Sequence, residues 1–455
     1  MKNRREKAPI DEETIRKFEN DHVLHPWRSQ KDYSPPVVER AKGNYFYDTK
    51  GRQYLDFSSQ YVVTSLGHAD ERVVKAISEQ AGRLPYVSHQ FFTEPKARLA
   101  RTLSEITPGD ITKTFFSNGG AEAVEASLKV ARLVTGRNKV IARYRAYHGS
   151  LYGALSLGME FRTWPFEPAV PGVVHCLEPY CYRCPFGATY PECDLKCARH
   201  VEDIIIREGG AKRVGAFIGE PIFGPGGIIV PPDGYWQCVR EICDKYNMLM
   251  ICDEVMAGIG RTGKWFAIDH WDVVPDIMTM AKGITSGIIP LGATSMRKSV
   301  ADAFEEQPFT GGHTYSGHTL AMAASSATLE AYIEDGLVER SAEMGKYLMG
   351  KLEGIRDHHP CIGDIRGKGL FCGVELVKNR KTREPVHEAL MEPPRPVTAK
   401  MKIISKAMEE GLYIMAGAAS VLMLTPPFTV TKDEIDFAVD VLDRALIIAD
   451  KENTE

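Results

Sequence analysis

Short apolar runs alternate with amphipathic stretches from about residue 75 to 330, and this alternation sets the expected fold. The runs KVIARY, VGAFIGEP, NMLMICDEV, DIMTMAK and IPLGATSM are bounded by turn or polar residues and predict buried strands. GGAEAVEASLKVARLVTG predicts a helix, with Val124, Leu128 and Ala131 on one stripe and a Thr-Gly stop. Apolar strands alternating with helices imply an α/β fold whose mostly parallel sheet is covered by helices on both faces. Before this region, NYFYDTKGRQYLDF predicts a hairpin turning at Asp48 to Gly51. After it, LVERSAEMGKYLMGKLEGI predicts a helix, KGLFCGVELV a strand, and residues 396–410 and 432–449 two more helices. The expected organisation is an N-terminal segment, 1–70, serving the small domain and the site entrance. A large domain, 71–330, and a smaller α+β domain, 331–455, follow. In such folds ligands gather at the carboxyl ends of the parallel strands, so the residues just beyond them are the ones to question.

Composition narrows the function classes. The chain of 455 residues is 44% hydrophobic and 25% charged, with a formal net charge of -4. This mild acidity makes no electrostatic case for nucleic acid or an anionic membrane. No apolar run approaches the roughly 20 residues that span a bilayer. The charged start, MKNRREKAPIDEETIRKFEN, lacks the apolar core of a signal peptide, so a cytoplasmic location is expected. Of ten cysteines, Cys238, Cys243, Cys252, Cys361 and Cys372 fall in regular segments and read as reduced core residues. Cys176, Cys181, Cys184, Cys193 and Cys197 crowd into one stretch, and the last four have a spacing open to a structural thiolate metal site. Free loop thiols are the alternative, and no metal is assigned.

Four strand ends carry the chemistry. In PDIMTMAKGITSG, Lys282 directly follows a buried run, an unusual place for an ammonium. Asp253 ends NMLMICDEV, SNGGAEA opens a helix, and RYRAYHGS follows a third strand. Singly, each has a bland alternative: an ion pair, a helix cap, a tight turn, a core tyrosine. Together they describe one ligand. Gly119, Gly120 and Ala121 before a helix form an anion cup for a phosphate. A buried carboxylate asks for a cationic partner such as a protonated pyridine nitrogen, and Tyr147 offers a flat face to a heteroaromatic ring. A lysine with a depressed pKa forms a Schiff base with an aldehyde. Phosphate, pyridinium, planar ring and aldehyde together make pyridoxal 5'-phosphate.

With these motifs in order (SNGGAEAVE, AYHG, GEPI, DEV, AKG and HTYSGH) the chain resembles the class III pyridoxal-phosphate aminotransferases of fold type I. The resemblance runs from YFYDTKGRQYLDF to LTPPFTVTKDEID. It implies that Lys282 bears the cofactor and carries the proton, while Asp253 pairs with the pyridine nitrogen so that the ring acts as an electron sink. It further implies that Val255 and Tyr147 cover the two ring faces and that His148 and Glu220 belong to the surrounding cofactor site. Thr314 would serve the phosphate of a neighbouring subunit, which implies a homodimer with shared active sites.

The substrate is less legible. Family members that use α-keto acids often carry an arginine before the C-terminal Pro-Pro or about ten residues upstream. Here those places hold Met423 and Ala416, neither of which can clamp a carboxylate. Arg143, Arg145 and Arg162 are the alternative cations, and His25, Trp27, Tyr61, Phe91 and Phe92 the aromatic candidates for the substrate side. The N-terminal DHVLHPW and the cysteine-rich segment are similar to ω-aminotransferases acting on taurine and related amines. The expected reaction moves a terminal amino group from a short ω-amino acid to pyruvate or 2-oxoglutarate. Enzymes for β-amino acids, β-aminoacyl thioesters, polyamines or a biotin-pathway intermediate remain open. So do an aminomutase, a racemase and an inactive metal-binding scaffold.

Overall fold

The computed structural model describes residues 10–454, apart from 28, 32, 159–160, 387–397 and 418–419. At its centre is a seven-stranded sheet in the order Ile111–Ser117, Gly292–Arg297, Ile277–Met280, Leu249–Asp253, Val214–Gly219, Lys139–Arg143, Val173–Cys176. The last five run parallel to one another. Gly292–Arg297 is antiparallel to both of its neighbours, an inversion that its apolar run alone does not betray. Every residue of Val214–Gly219 and of Ile277–Met280 is buried, which is why these strands read as apolar runs, broken only by Thr279, and not as alternating ones.

Helices close the faces. The helix Gly120–Thr135 lies against the sheet with Val124, Leu128 and Ala131 all buried. Each of its larger apolar side chains contributes roughly 1.5–3 kcal/mol by leaving water. It stops where Gly136 turns left-handed at φ 65°, a conformation open to glycine at little steric cost.

Two smaller sheets flank this core. The expected hairpin is present, with Tyr45–Asp48 antiparallel to Gln53–Asp56. The C-terminal strand Leu412–Tyr413 then adds to it in parallel, so the two ends of the chain share one sheet. The other sheet joins Ile362–Lys368, Phe371–Asn379, Val421–Leu424 and Met415–Ala416, backed by the helices Leu337–Arg356 and Lys432–Asp450. Among the described residues, no helix is long and apolar enough to cross a membrane.

Candidate active site

Strand register brings the functional side chains together. Gly219 pairs with Cys252, so Glu220 and Asp253 leave neighbouring strands side by side. Asp253 pairs with Thr279, and Lys282 follows three residues later. All three carboxyl-end residues line one cavity of about 360 Å³. Gly119, Gly120, Ala121, Tyr147, His148 and Val255 line it too.

Asp253 is buried and held from three sides. Thr279 Oγ1 donates to its Oδ1 at 3.1 Å and the Val255 amide donates to the same oxygen at 3.0 Å. His148 Nδ1 lies 2.6 Å from its Oδ2. These bonds fix the carboxylate and leave it facing the cavity. Glu220 is buried as well, accepting from the Tyr147 amide at 3.3 Å and the Gly224 amide at 2.8 Å. Burial raises the pKa of Glu220, and the nearby Asp253 charge adds to the rise.

Lys282 opens a short 3-10 turn at φ 50°, a left-handed conformation uncommon outside glycine. Its pKa is lowered because the amine loses water in the cavity, while the charges of Asp253 and Glu220 partly restore it. A strained backbone and a desolvated amine at one residue fit a functional position better than a structural ion pair.

The opposite wall is the start of the helix Gly120–Thr135. Its first internal bond runs from the Ala123 amide to Gly119 O at 3.0 Å. The Gly120 and Ala121 amides, which precede that bond, therefore point out of the helix end. A Cβ on Gly120 would sit 2.9 Å from Val255 Cγ1, so only glycine lets the helix end approach this closely. Gly149, at φ 138°, lies against the same place: a Cβ there would meet Ala121 Cβ at 2.5 Å.

A match to the aminotransferase class III family model covers residues 28–446. The chain belongs to the class III aminotransferases. A leucine/methionine racemase of Thermococcus litoralis is 37% identical, over 96% of this chain and 95% of its own. A taurine–pyruvate aminotransferase of Rhodobacter capsulatus is 36% identical, over 96% of this chain and 98% of its own. Among solved structures, the taurine:2-oxoglutarate aminotransferase of Bifidobacterium kashiwanohense, in complex with pyridoxal phosphate and glutamate, superposes with a TM-score of 0.92. It is 36% identical, and the match covers 98% of this chain and 99% of that one. The protein is thus a pyridoxal-phosphate-dependent transaminase of fold type I.

The residues present fit that cofactor as a class III aminotransferase requires. The helix-end amides suit its phosphate. The fixed Asp253 carboxylate suits its pyridinium, and the water-poor lysine suits its aldehyde. His148 Nε2 is buried without a hydrogen-bond partner, a polar atom that a bound group in the cavity can satisfy.

Other sequence candidates are placed differently. Thr314 is exposed and outside this cavity, with its carbonyl accepting from Tyr86 Oη at 2.9 Å. Arg143 is fully buried beneath the site, not in it. It donates to Glu220 O at 2.7 Å and stacks 3.7 Å over Phe223. Arg145 pairs with Glu178 at 3.6 Å and is not among the lining residues. Arg162 is not among the lining residues either, but it packs on one that is, its guanidinium 4.7 Å from the Tyr147 ring and 6.0 Å from Trp27, which also does not line the cavity. Trp27 in turn meets Tyr147 edge-on at 6.1 Å. His25, Tyr61 and Phe91 do not line the cavity, and Phe92 lines a second one with Lys96 and Phe309. Met423 is buried in its strand and Ala416 is exposed, so neither place supplies a cation.

The cysteine array is not a ligand set. Among the described residues, no group of three or more His, Cys, Asp or Glu side chains is placed to hold a metal ion, and all ten cysteines are free thiols. Spacing of the kind C-x2-C…C-x3-C is a one-dimensional signal: the fold brings Cys181 and Cys193 near enough to Cys197 to add to the rise that burial gives its pKa, but not into a set that could hold a metal ion. Sequence inspection also missed Val63, Pro225, Met256 and Thr285 in the cavity wall. They are ordinary apolar or small residues, visible only once the segments fold together.

Proposed function

We propose that the enzyme transfers the terminal amino group of a short ω-amino acid, of the taurine, β-alanine or 4-aminobutyrate type, to pyruvate or 2-oxoglutarate. The observation that carries the chemistry is the meeting of Lys282, Asp253 and the Gly120 helix end at one cavity. Pyridoxal phosphate, when bound, supplies an aldehyde for the amine and a ring that accepts electrons. Gly119, Gly120 and Ala121 would hold the phosphate by backbone amides and the helix dipole. The Asp253 carboxylate, fixed by His148, Thr279 and the Val255 amide, would pair with the ring nitrogen and keep positive charge there. Lys282 Nζ, its pKa lowered by desolvation, would hold the cofactor's aldehyde carbon until the donor amine displaces it, and the freed amine would then be the base for the proton on the amine-bearing carbon. Glu220 positions the Tyr147 backbone, and Tyr147 and Val255 would cover the bound ring and exclude water. Donor and acceptor use the cavity in turn, a ping-pong sequence.

Arg162 supports an acid-ended substrate. It is a cation packed on Tyr147 and Trp27, and in this reading it takes the place of the arginine absent at Ala416 and Met423. The taurine enzymes among the similar proteins point the same way. Thr314, exposed and outside its own cavity, supports service to the phosphate of a second copy in a homodimer with shared sites. Likeness to the Thermococcus litoralis racemase favours a second reading, amino-acid racemisation by the same proton transfer. One panel separates the two: taurine, β-alanine, 4-aminobutyrate, 3-aminobutyrate, alanine and ornithine, each with pyruvate and with 2-oxoglutarate. Transfer from an ω-amine supports the proposal. Loss of optical rotation from leucine or methionine without any keto acid supports the racemase.

A further inference from the structure

One buried carboxylate near the site takes no part in the chemistry above. Asp56 ends the second strand of the N-terminal hairpin and is fully buried. Its Oδ1 accepts from the Ser58 amide at 3.3 Å, Ser58 Oγ at 3.2 Å and the Gln60 amide at 3.0 Å. Its Oδ2 accepts from Gln60 Nε2 at 3.1 Å and Thr64 Oγ1 at 3.2 Å, and His68 Nε2 lies 3.0 Å away. A hairpin end needs no such convergence of donors.

The segment those donors belong to is strained. Ser59, Gln60 and Val62 adopt φ of 46°, 48° and 61°, left-handed values that non-glycine residues keep only when their surroundings hold them. The segment leads directly to Val63, which lines the cofactor cavity. Val63 is seated against the turn that begins at Lys282: a Cβ on Gly287 would fall 2.8 Å from Val63 Cγ1. The Leu66 amide completes the seat by donating to Ser286 Oγ at 2.9 Å.

We propose that Asp56 is a positioning residue for substrate, holding the left-handed segment that sets Val63 against the lysine-bearing turn. The inference rests on the transaminase activity and not on which donor is used. Asp56→Asn keeps the side chain's shape but sets an amide NH2 against converging donors. The expected result is a KM for the keto acid the wild type accepts, pyruvate or 2-oxoglutarate, raised about tenfold with kcat within about twofold and an unchanged cofactor spectrum. His68→Gln, which keeps a donor toward Asp56, should stay near wild type. In cofactor-loaded protein, amide exchange should quicken over residues 58–64 in Asp56→Asn and stay unchanged in the strand Leu249–Asp253. Should Asp56→Asn not fold, Thr64→Val, which removes a single donor, must show the same local exchange to a smaller degree. An unchanged KM for that keto acid, or exchange that rises evenly along the chain, overturns the proposal. If the wild type transfers from none of the panel amines, the functional reading fails separately and the exchange measurement still decides this one.

Discussion

The floor of the site and its mouth are built on different terms. The floor is made of residues one step past parallel strands, where pairing of Gly219 with Cys252 and of Asp253 with Thr279 fixes which side chains meet. Asp253 and Glu220 are buried there, and each is bonded to backbone or side-chain donors. The mouth, as proposed, is the cluster on Tyr147: Trp27 and Arg162, neither lining the cavity itself, join it by ring and cation–π contacts of 4.7 to 6.1 Å, with Trp27 largely exposed. Such contacts are each worth about 1 kcal/mol and tolerate exchange. The contrast teaches that the cavity's charged groups are anchored in the sheet, whereas the cluster proposed to choose the substrate sits on segments that can change without disturbing them.

Removing the floor's amine should have the largest effect. Lys282→Ala is expected to lower transamination by roughly ten-thousand-fold and to abolish the visible absorbance of lysine-bound cofactor, read by stopped assay and spectrum. At the mouth, Arg162→Met should raise KM for an acid-ended donor about tenfold and leave kcat within about twofold. Comparable loss of kcat in both variants would erase the distinction between floor and mouth. The smallest effect sharpens it from below. Glu254, next to Asp253 but turned to the Ala267 and Ile268 amides at 3.0 and 2.8 Å, has its pKa raised by burial to about 8. The folded chain therefore keeps that proton over a range where the unfolded chain has released it, so stability falls as pH rises from about 5 to about 8. Glu254→Gln lacks this loss, and its melting temperature relative to wild type should climb by about 4 °C across that range, followed by calorimetry.

How far each part was legible in sequence follows the same division. Lys282, Asp253, Glu220 and Gly120 announce themselves because a charge at the end of an apolar run, or glycine before a helix, breaks a local pattern. The helix stripe Val124, Leu128 and Ala131 and the hairpin at Asp48 to Gly51 are local as well, and the structure has both. The antiparallel insertion of Gly292–Arg297 is not local: a buried strand is apolar whichever way it runs. Arg143 and Arg162 look alike as letters near aromatic residues. Tertiary packing alone sends one beneath Glu220 and the other to the mouth. The cysteine spacing misleads for the same reason: among the described residues the fold gathers these thiols without forming a set that could hold a metal ion, and spacing does not report that geometry.

The central claim is that the Lys282 amine is the group that joins the cofactor. Borohydride treatment of the yellow holoenzyme, followed by digestion and mass mapping, tests it directly. The account predicts that the reduced cofactor is found on the peptide bearing Lys282 and that Lys282→Ala protein carries none. A label on another lysine, or on no lysine at all, would contradict it.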